Sequence, residues 1–250
     1  MRELYNQEFY ENRDALTRYS AETIVGFLHE IIPSNSVCDV GCGVGTWLAA
    51  FKECGATEIF GLDGEWVDKN KLVIPEISFL QADLTAPPSI DRTFDLAISL
   101  EVAEHLPAAE ADKFVDFITS LAPVVMFSAA IPGQGGIGHV NEQWPSYWIS
   151  LFNARGFMVI DCIRPHIWDN PDVLLCYQQN TLLFVRQDKK ELLLRLQATH
   201  KPTNRNTTKH PMVDLAHPKL FTRVADANRK LKQEKESQQK ALDASRHKVE

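Results

Sequence analysis

Short apolar runs alternate with stretches of helical hydrophobic spacing along most of the chain. The run FDLAISL (94–100) is apolar almost throughout, which is typical of a central parallel strand buried on both faces. Segment 19–32 instead repeats apolar residues at intervals of three and four until Pro33, which predicts a helix. By these criteria the predicted strands are 36–40, 58–63, 77–84, 94–100, 124–132, 157–163 and 181–187, and the predicted helices are 19–32, 46–54, 109–121, 144–154 and 189–197.

This order of elements predicts the fold class. Strands that alternate with helices form a mostly parallel sheet joined by right-handed crossovers. The last two strands are expected to pair as an antiparallel hairpin at the edge of that sheet. The prediction is therefore an α/β protein: a Rossmann-like, seven-stranded, mostly parallel sheet with an antiparallel terminal hairpin and a C-terminal helical extension.

The pattern also divides the chain into parts. We expect an N-terminal arm (1–18), an α/β domain (19–187), a short helix and linker (188–218), and a charged helix (219–250). The last part has a weak heptad pattern, so a solvated helix is favoured over a coiled coil, and an oligomer or partner bound through it stays open. Its apolar heptad positions are Val224, Leu231, Leu242 and Val249. The helical pattern still runs at residue 250, so a longer natural protein is also an open expectation.

Composition narrows the class of protein. A hydrophobic content of 44% suffices for a core, and no apolar run reaches the length of a membrane span. The charged N-terminus is unlike a signal peptide, so we expect a cytoplasmic location. Five cysteines without a Cys-x-x-Cys pair indicate free thiols. A net charge of −7 argues against an extended nucleic-acid-binding face.

A glycine turn follows the first predicted strand. In VCDVGCGVGTW (37–47), Asp39 precedes Gly41 by two residues, and further glycines stand at 43 and 45. Thr46 occupies the position where a Gly-x-Gly-x-x-Gly dinucleotide motif needs glycine or alanine. Glycines let the backbone approach a ligand closely, and the start of the next helix offers unpaired N–H groups. The stretch therefore predicts a site for a nucleotide-like ligand.

The motif Asp-x-Gly-x-Gly-x-Gly resembles the first motif of the class I S-adenosylmethionine (SAM) methyltransferases. The resemblance implies the class I fold over about residues 20–187 and SAM as the cofactor. It implies Asp39 beside the amino-acid end of SAM, Asp83 at the adenine amine and Ala82 beside the ring. Asp63 stands 20 residues after Gly43, an interval typical of an acid that binds ribose hydroxyls, and the alternative is a loop acid that caps the next segment. The predicted cofactor-binding residues are Asp39, Gly41, Cys42, Gly43, Asp63, Gly64, Ala82, Asp83, Leu84, Leu100 and Glu101.

Candidate catalytic residues follow the fourth strand, in LEVAEHL (100–106). In the first turn of a helix, Glu101, Glu104 and His105 would share one face, and mixed carboxylate and imidazole ligands suit Mg or Mn. The spacing resembles the metal motif of small-RNA 3′-terminal 2′-O-methyltransferases and of ubiquinone-pathway O-methyltransferases. The RNA-directed family adds a histidine shortly before a tryptophan, which His139 and Trp144 match. The predicted metal ligands are Glu101, Glu104, His105 and His139.

Two interpretations of this cluster stay open. Many class I methyltransferases without metal also carry Glu-x-x-Glu-His here, where it shapes the pocket; His139 would then be the general base and His105 the reserve. The predicted catalytic residues are His139, His105 and Glu104. In the metal version, a divalent ion lowers the pKa of a bound hydroxyl, and two neighbouring hydroxyls can chelate it. That version favours a vicinal diol: a sugar, a ribose terminus or a catechol.

Segments 133–148 and 164–180 are expected to line the acceptor side. Glycines in the first segment predict either a mobile lid or backbone with positive φ. Tryptophans can stack on sugar rings or bases, although packing over the sheet is the commoner role for any one of them. The candidate contacts are Trp144, Tyr147, Trp148, His166, Trp168, Asp169 and Gln178.

The predicted function is SAM-dependent, metal-assisted O-methylation of a hydroxyl of a sugar, a glycan or another vicinal diol. Residues 132–185 also resemble bacterial methyltransferases that tailor surface polysaccharides and glycans. One alternative is a metal-free small-molecule O-methyltransferase with His139 as base. Another is an RNA-terminal 2′-O-methyltransferase, which the acidic balance disfavours. From a different class, a non-catalytic SAM-binding scaffold stays open, although such domains tend to lose glycines or acids that are present here.

Overall fold

The computed structural model describes residues 7–199 and 213–246. Its strands are β1 (Ser36–Val40), β2 (Glu58–Asp63), β3 (Phe79–Gln81), β4 (Leu96–Leu100), β5 (Val124–Ser128), β6 (Phe157–Ile160) and β7 (Leu182–Arg186). Its helices are α1 (Gln7–Ile31), α2 (Thr46–Glu53), α3 (Ala111–Leu121), α4 (Pro145–Ala154), α5 (Arg164–Ile167), α6 (Leu175–Asn180), α7 (Lys190–Thr199) and α8 (Pro218–Arg246).

The seven strands form one sheet in the order β3-β2-β1-β4-β5-β7-β6. Strands β1 to β5 pair in parallel, whereas β7 lies antiparallel to both β5 and β6. This confirms the predicted α/β fold with its antiparallel terminal hairpin. Because β1 and β4 are neighbours, with Asp39 opposite Ile98, the connections after these two strands meet at the carboxyl edge of the sheet.

Apolar side chains cover both faces of the sheet. All five residues of β4 are buried, as a continuous apolar run predicts for a central strand. Ile24 and Leu28 of α1 belong to one cluster with Leu48 of α2. Phe114 of α3 and Phe152 of α4 belong to the other cluster. These two layers of helix anchor the loops at the carboxyl edge, where ligands bind in open α/β sheets.

Several boundaries differ from the prediction. Helix α1 begins at Gln7, so residues 7–18, expected to be part of an arm, are helical. Their polar composition gives little hydrophobic periodicity, which is the signal the prediction used. Strands β3, β5 and β6 are shorter than predicted because an apolar run can continue past the last residue that pairs in the sheet. Segment 164–180 contains α5 and α6, neither of which was predicted.

The turn after β4 also differs from the prediction. Glu101 has a φ of 57°, and Ala103–His105 form a 3₁₀ turn rather than the start of an α-helix. A non-glycine residue in this left-handed region is uncommon and costs on the order of 1–3 kcal/mol. Glu101 and Glu104 therefore do not share one helical face, which was the geometric basis for grouping them.

The chain divides into two compact units, one reaching Leu215 and the other beginning at Ala216. The second unit contains α8, the predicted charged helix, with heptad positions Val224, Leu231 and Leu242. Val249 and most of the predicted linker (200–212) lie outside the described residues. The domain boundaries, and an oligomer or partner bound through α8, stay predictions. None of the described helices is long and apolar enough to cross a membrane.

Candidate active site

The glycine turn after β1 provides an open backbone surface. Gly41, Gly43 and Gly45 all have positive φ. At Gly43, with a φ of 54°, an added Cβ would find no atom within 4 Å, so the turn faces open space there. Gly45 precedes α2 without a capping side chain. The turn is therefore open to a ligand at Gly43, although the peptide N–H groups of Gly41, Gly43 and Gly45 already donate within the protein.

Two buried carboxylates flank this turn. Asp63 accepts hydrogen bonds from the peptide N–H groups of Gly43 and Gly64, both at 2.6 Å. Asp39 is 2% exposed, and its Oδ2 has no hydrogen-bond partner. Burial, and next the charge of Asp63, raise the pKa of Asp39 well above its ordinary value. A ligand amino group would satisfy this oxygen and favour the ionised form, which fits the amino-acid end of SAM.

A cavity of about 430 Å³ lies beside the end of β2. It is lined by Gly64, Glu65, Trp66, Gln81, Ala82 and Asp83. Ala82 and Asp83, the predicted adenine contacts, therefore share one cavity with Gly64. The exposed Asp83 carboxylate accepts hydrogen bonds from the hydroxyl and peptide N–H of Thr85, which lower its pKa. Trp66 adds an aromatic face that the prediction missed, although its position shortly after Asp63 was a usable signal.

Three other predicted cofactor residues have buried side chains. Cys42, Leu84 and Leu100 are buried among core side chains. Any contact of these three residues with a cofactor would therefore involve their backbone atoms. An added Cβ at Gly41 would lie 2.3 Å from a methyl group of Val102, so the turn after β1 packs tightly against the turn after β4.

Glu101 is held by two carboxamides. Its carboxylate accepts a hydrogen bond from Gln134 Nε2 at 2.8 Å and another from Asn180 Nδ2 at 2.9 Å. Its peptide N–H donates to the carbonyl and hydroxyl oxygens of Ser128, both at 3.1 Å. Burial raises the pKa of Glu101, and these hydrogen bonds oppose the rise. Gln134 and Asn180 were not predicted, because only the fold brings them to Glu101.

Three of the four predicted metal ligands come together. One ligand atom each of Glu104, His105 and His139 lies within 4.8 Å of the others, and Glu101 is outside this group. Glu104 Oε1 is 3.9 Å from Nε2 of His139, and the two imidazole rings are nearly perpendicular. Glu104 is fully buried, and neither of its carboxylate oxygens has a hydrogen-bond partner. Burial, and next the charge of Glu101, raise the pKa of Glu104 to about 9.

A second acid, Glu142, lies on the other side of His139. Nδ1 of His139 is 3.0 Å from Glu142 Oε1. The same carboxylate accepts hydrogen bonds from the peptide N–H groups of Gly133 and Gly135. The prediction missed Glu142, although its spacing of three residues from His139 was visible in the sequence.

The loop that carries His139 has a defined conformation. Gly133, Gly135 and Gly138 have positive φ, which was one of the two alternatives predicted for this segment, the other being a mobile lid. Gly136 lies against His139: an added Cβ would be 2.1 Å from Nε2 of the imidazole. The peptide N–H groups of Val140 and Asn141 donate to the backbone carbonyl of Glu104, which joins this loop to the turn after β4.

The candidate acceptor contacts divide by exposure. Trp148 is buried against Phe127 in the core, whereas Trp144 is 39% exposed. His166 stacks on Phe27 with ring centroids 4.0 Å apart. The amide nitrogen of buried Gln178 donates to backbone carbonyls, including that of Val173. Trp144 therefore presents more surface for an acceptor than Trp148 does; Tyr147 and Trp168 are half-buried, and Asp169 is exposed.

Comparison with known families identifies the domain. Residues 5–160, more than half of the chain, match the model of a family described as a methyltransferase domain. The chain belongs to this family. The chain is 25% identical over 176 residues to the mitochondrial ubiquinone biosynthesis O-methyltransferase of Dictyostelium discoideum. The aligned region covers 62% of this chain and 51% of that protein. The chain spans about half the length of the curated relatives it matches.

Solved structures share the fold of the methyltransferase. The SAM-bound magnesium protoporphyrin IX methyltransferase of Synechocystis matches with a TM-score of 0.50 and 21% identity, over 68% of this chain and 80% of that one. A sugar N-methyltransferase from Streptoalloteichus matches with a TM-score of 0.52 and 17% identity, over 68% and 87%. The chain thus shares the class I methyltransferase fold of these structures, one of which has SAM bound, as the glycine motif predicts.

Proposed function

We propose that this methyltransferase transfers the methyl group of SAM to a hydroxyl of a sugar, a glycan or another vicinal diol. A divalent ion, Mg or Mn, held by Glu104, His105 and His139 would assist the transfer. One observation carries the proposal: the Glu104 carboxylate is fully buried, unpartnered and directed toward His139. A buried carboxyl group without a partner stays protonated, as the raised pKa of Glu104 indicates, and a cation beside it would stabilise the ionised form.

The spacing of the three side chains suits an ion. Two ligand atoms about 2.0–2.1 Å from one Mg²⁺ lie at most about 4.2 Å apart. The 3.9 Å between Glu104 Oε1 and His139 Nε2 falls within this limit. The other separations are within 4.8 Å, so the exposed His105, whose Nδ1 lies 3.3 Å from the Gly138 carbonyl oxygen, would have to move closer to bind the same ion. Glu142 at Nδ1 of His139 matches the carboxylate partner that metal-binding imidazoles commonly have.

Two considerations favour a hydroxyl acceptor. The curated relatives carry the name O-methyltransferase, which specifies an oxygen acceptor, either a hydroxyl or a carboxylate. SAM supplies an electrophilic methyl group, and a bound divalent ion lowers the pKa of a hydroxyl beside it. The protein's own task is to align that hydroxyl and remove one proton. Three protein ligands leave positions open on an ion that takes six, so two adjacent hydroxyls can occupy them.

The remaining site residues are assigned to the cofactor. Asp39 would pair with the amino group of SAM and Asp63 with its ribose. The cavity that contains Trp66, Ala82 and Asp83 would receive the adenine. Asp39 has the unpartnered oxygen that such a role requires. Asp63 must exchange at least one of its peptide hydrogen bonds, or share an oxygen, to reach the ribose hydroxyls.

Calorimetry with and without EDTA tests the proposal. SAM binding is measured first, and Mn²⁺ is then titrated into wild type, Glu104→Gln and the control Glu110→Gln. We expect Mn²⁺ to bind wild type and the control but not Glu104→Gln, with similar SAM affinity in all three.

Turnover on a sugar with a vicinal diol is then compared with turnover on its monodeoxy analogue. If wild type binds no metal under any condition, the proposal that a divalent ion assists the transfer is rejected.

A metal-free mechanism is the second candidate, and the contact between His139 and Glu142 favours it. An imidazole oriented by a carboxylate is the usual form of a general base. In that case EDTA leaves turnover unchanged, whereas His139→Gln abolishes it. SAM binding without turnover on any hydroxylated acceptor would instead indicate a non-catalytic scaffold.

A further inference from the structure

Glu142 joins the two ends of the glycine-rich loop 133–142, because it stands at one end and bonds the backbone at the other. Its Oε2 accepts a hydrogen bond from the peptide N–H of Gly133 at 2.8 Å, and its Oε1 accepts one from Gly135 at 2.9 Å. Oε1 also lies 3.0 Å from Nδ1 of His139. The side chain is only 21% exposed. One carboxylate therefore fixes both the loop backbone and the imidazole that the loop carries.

These contacts determine which imidazole nitrogen bears the proton. Both oxygens of the Glu142 carboxylate accept hydrogen bonds from peptide N–H groups, and Oε1 also faces Nδ1 of His139. An oxygen that accepts from Gly135 offers Nδ1 only an acceptor, so a neutral His139 carries its proton on Nδ1. Nε2 then keeps its lone pair, and Nε2 is the atom that lies 3.9 Å from Glu104.

We propose that Glu142 is a positioning residue: it holds His139 in the Nδ1–H tautomer and directs the Nε2 lone pair toward Glu104. The inference rests on the proposed role of His139 in catalysis. It holds whether that lone pair binds a divalent ion or accepts a proton from the acceptor hydroxyl. It also explains why a single acid contacts the loop at both Gly133 and Gly135: a displaced loop would carry the imidazole away from the turn after β4.

Nitrogen NMR measures the tautomer directly. Full-length protein with ¹⁵N-labelled histidine is studied at about pH 8.5, above the ordinary imidazole pKa of about 6.5, with signals assigned through His139→Gln. Wild type is expected to show Nδ1–H. In Glu142→Ala no acceptor remains at Nδ1, so the proton of the neutral imidazole is expected to move to Nε2, on the side of the Glu104 carboxylate. Glu110→Ala, which removes another glutamate paired with a residue three positions away, is the control and should change nothing.

Mn²⁺ binding provides a second readout. Loss of the partner of a metal-bound imidazole typically lowers metal affinity about 10–100-fold, so Glu142→Ala should show this decrease with unchanged SAM affinity. An Nε2–H tautomer in wild type, or an unchanged tautomer in Glu142→Ala, would overturn the inference. If wild type binds no Mn²⁺, the metal part of the proposed function fails, while the tautomer of His139 still decides whether Glu142 positions it. If Glu142→Ala does not fold, the wild-type tautomer alone decides this.

Discussion

Glu104 Oε1 lies 3.9 Å from Nε2 of His139, although the two residues belong to connections after different strands. Backbone contacts bring them together: the peptide N–H groups of Val140 and Asn141 donate to the Glu104 carbonyl at 2.9 and 3.0 Å. The alignment of the two side chains therefore does not depend on their own interaction. Either side chain can be replaced without removing the contacts that join the two connections.

Replacing Glu104 with glutamine should abolish stabilisation by metal. A ligand that binds only the folded state at 100 times its Kd adds about 2.7 kcal/mol to the free energy of unfolding. We expect Mn²⁺ to raise the melting temperature of wild type and of Glu110→Gln, but not that of Glu104→Gln. Differential scanning fluorimetry with and without Mn²⁺ measures this. An equal rise in Glu104→Gln would show that the ion binds elsewhere.

Gly136→Ala should displace the imidazole of His139. A Cβ at this position would lie 2.1 Å from Nε2, closer than any real contact, so the ring must move. We expect Mn²⁺ affinity and turnover to fall at least about 10-fold, with unchanged SAM affinity. Losses of this size are typical when the groups that orient a metal-binding side chain are disturbed. Gly26→Ala is the matched control, since a Cβ there meets no atom within 4 Å and lies in a helix.

Gly26→Ala should leave Mn²⁺ and SAM binding intact and increase stability by up to about 1 kcal/mol, because alanine favours the helix. Calorimetry and thermal unfolding of both variants separate a local effect on the site from a general effect of the added methyl group. Unchanged Mn²⁺ binding and turnover in Gly136→Ala would mean that the position of His139 against Gly136 is unimportant.

The sequence predicts those features that depend on local patterns. The continuous apolar run at 94–100 identifies the central strand, and the spacing from Asp39 to Gly45 identifies the turn after β1. The left-handed conformation of Glu101 is not predictable in this way, because contacts with Ser128 and Asn180 from elsewhere in the chain stabilise it. The partners of Glu101 likewise depend on how β7 pairs with β5.

Trp66→Ala should weaken the binding of S-adenosylhomocysteine. The indole lines the cavity assigned to adenine and is 75% exposed, so a stacked base would cover it. Aromatic stacking is worth about 0.5–1.5 kcal/mol, which corresponds to roughly a 2- to 12-fold increase in Kd by calorimetry. Val73→Ala, an exposed apolar residue that does not line the cavity, should have no effect. Equal affinity in wild type and Trp66→Ala would place the adenine elsewhere.

Asp39→Asn should have opposite effects on stability and on SAM binding. Burial and the charge of Asp63 raise the folded-state pKa of Asp39, so above its unfolded value of about 3.9 the folded chain retains a proton that the unfolded chain has lost. Stability therefore falls by about 1.4 kcal/mol per pH unit from about pH 4 up to the raised pKa. Asparagine removes this loss, so without ligand the variant should unfold at a higher temperature than wild type, by a margin that grows as the pH rises.

We expect SAM to reverse this order, since in the proposed role an ionised Asp39 forms an ion pair with the amino group of the cofactor, which asparagine cannot form. Thermal unfolding from pH 5 to pH 8, with and without SAM, measures both effects, and calorimetry should show weaker SAM binding by Asp39→Asn. A ligand-free variant less stable than wild type at every pH would show that the Asp39 carboxylate is already satisfied within the protein. Unchanged SAM affinity would remove Asp39 from the cofactor site.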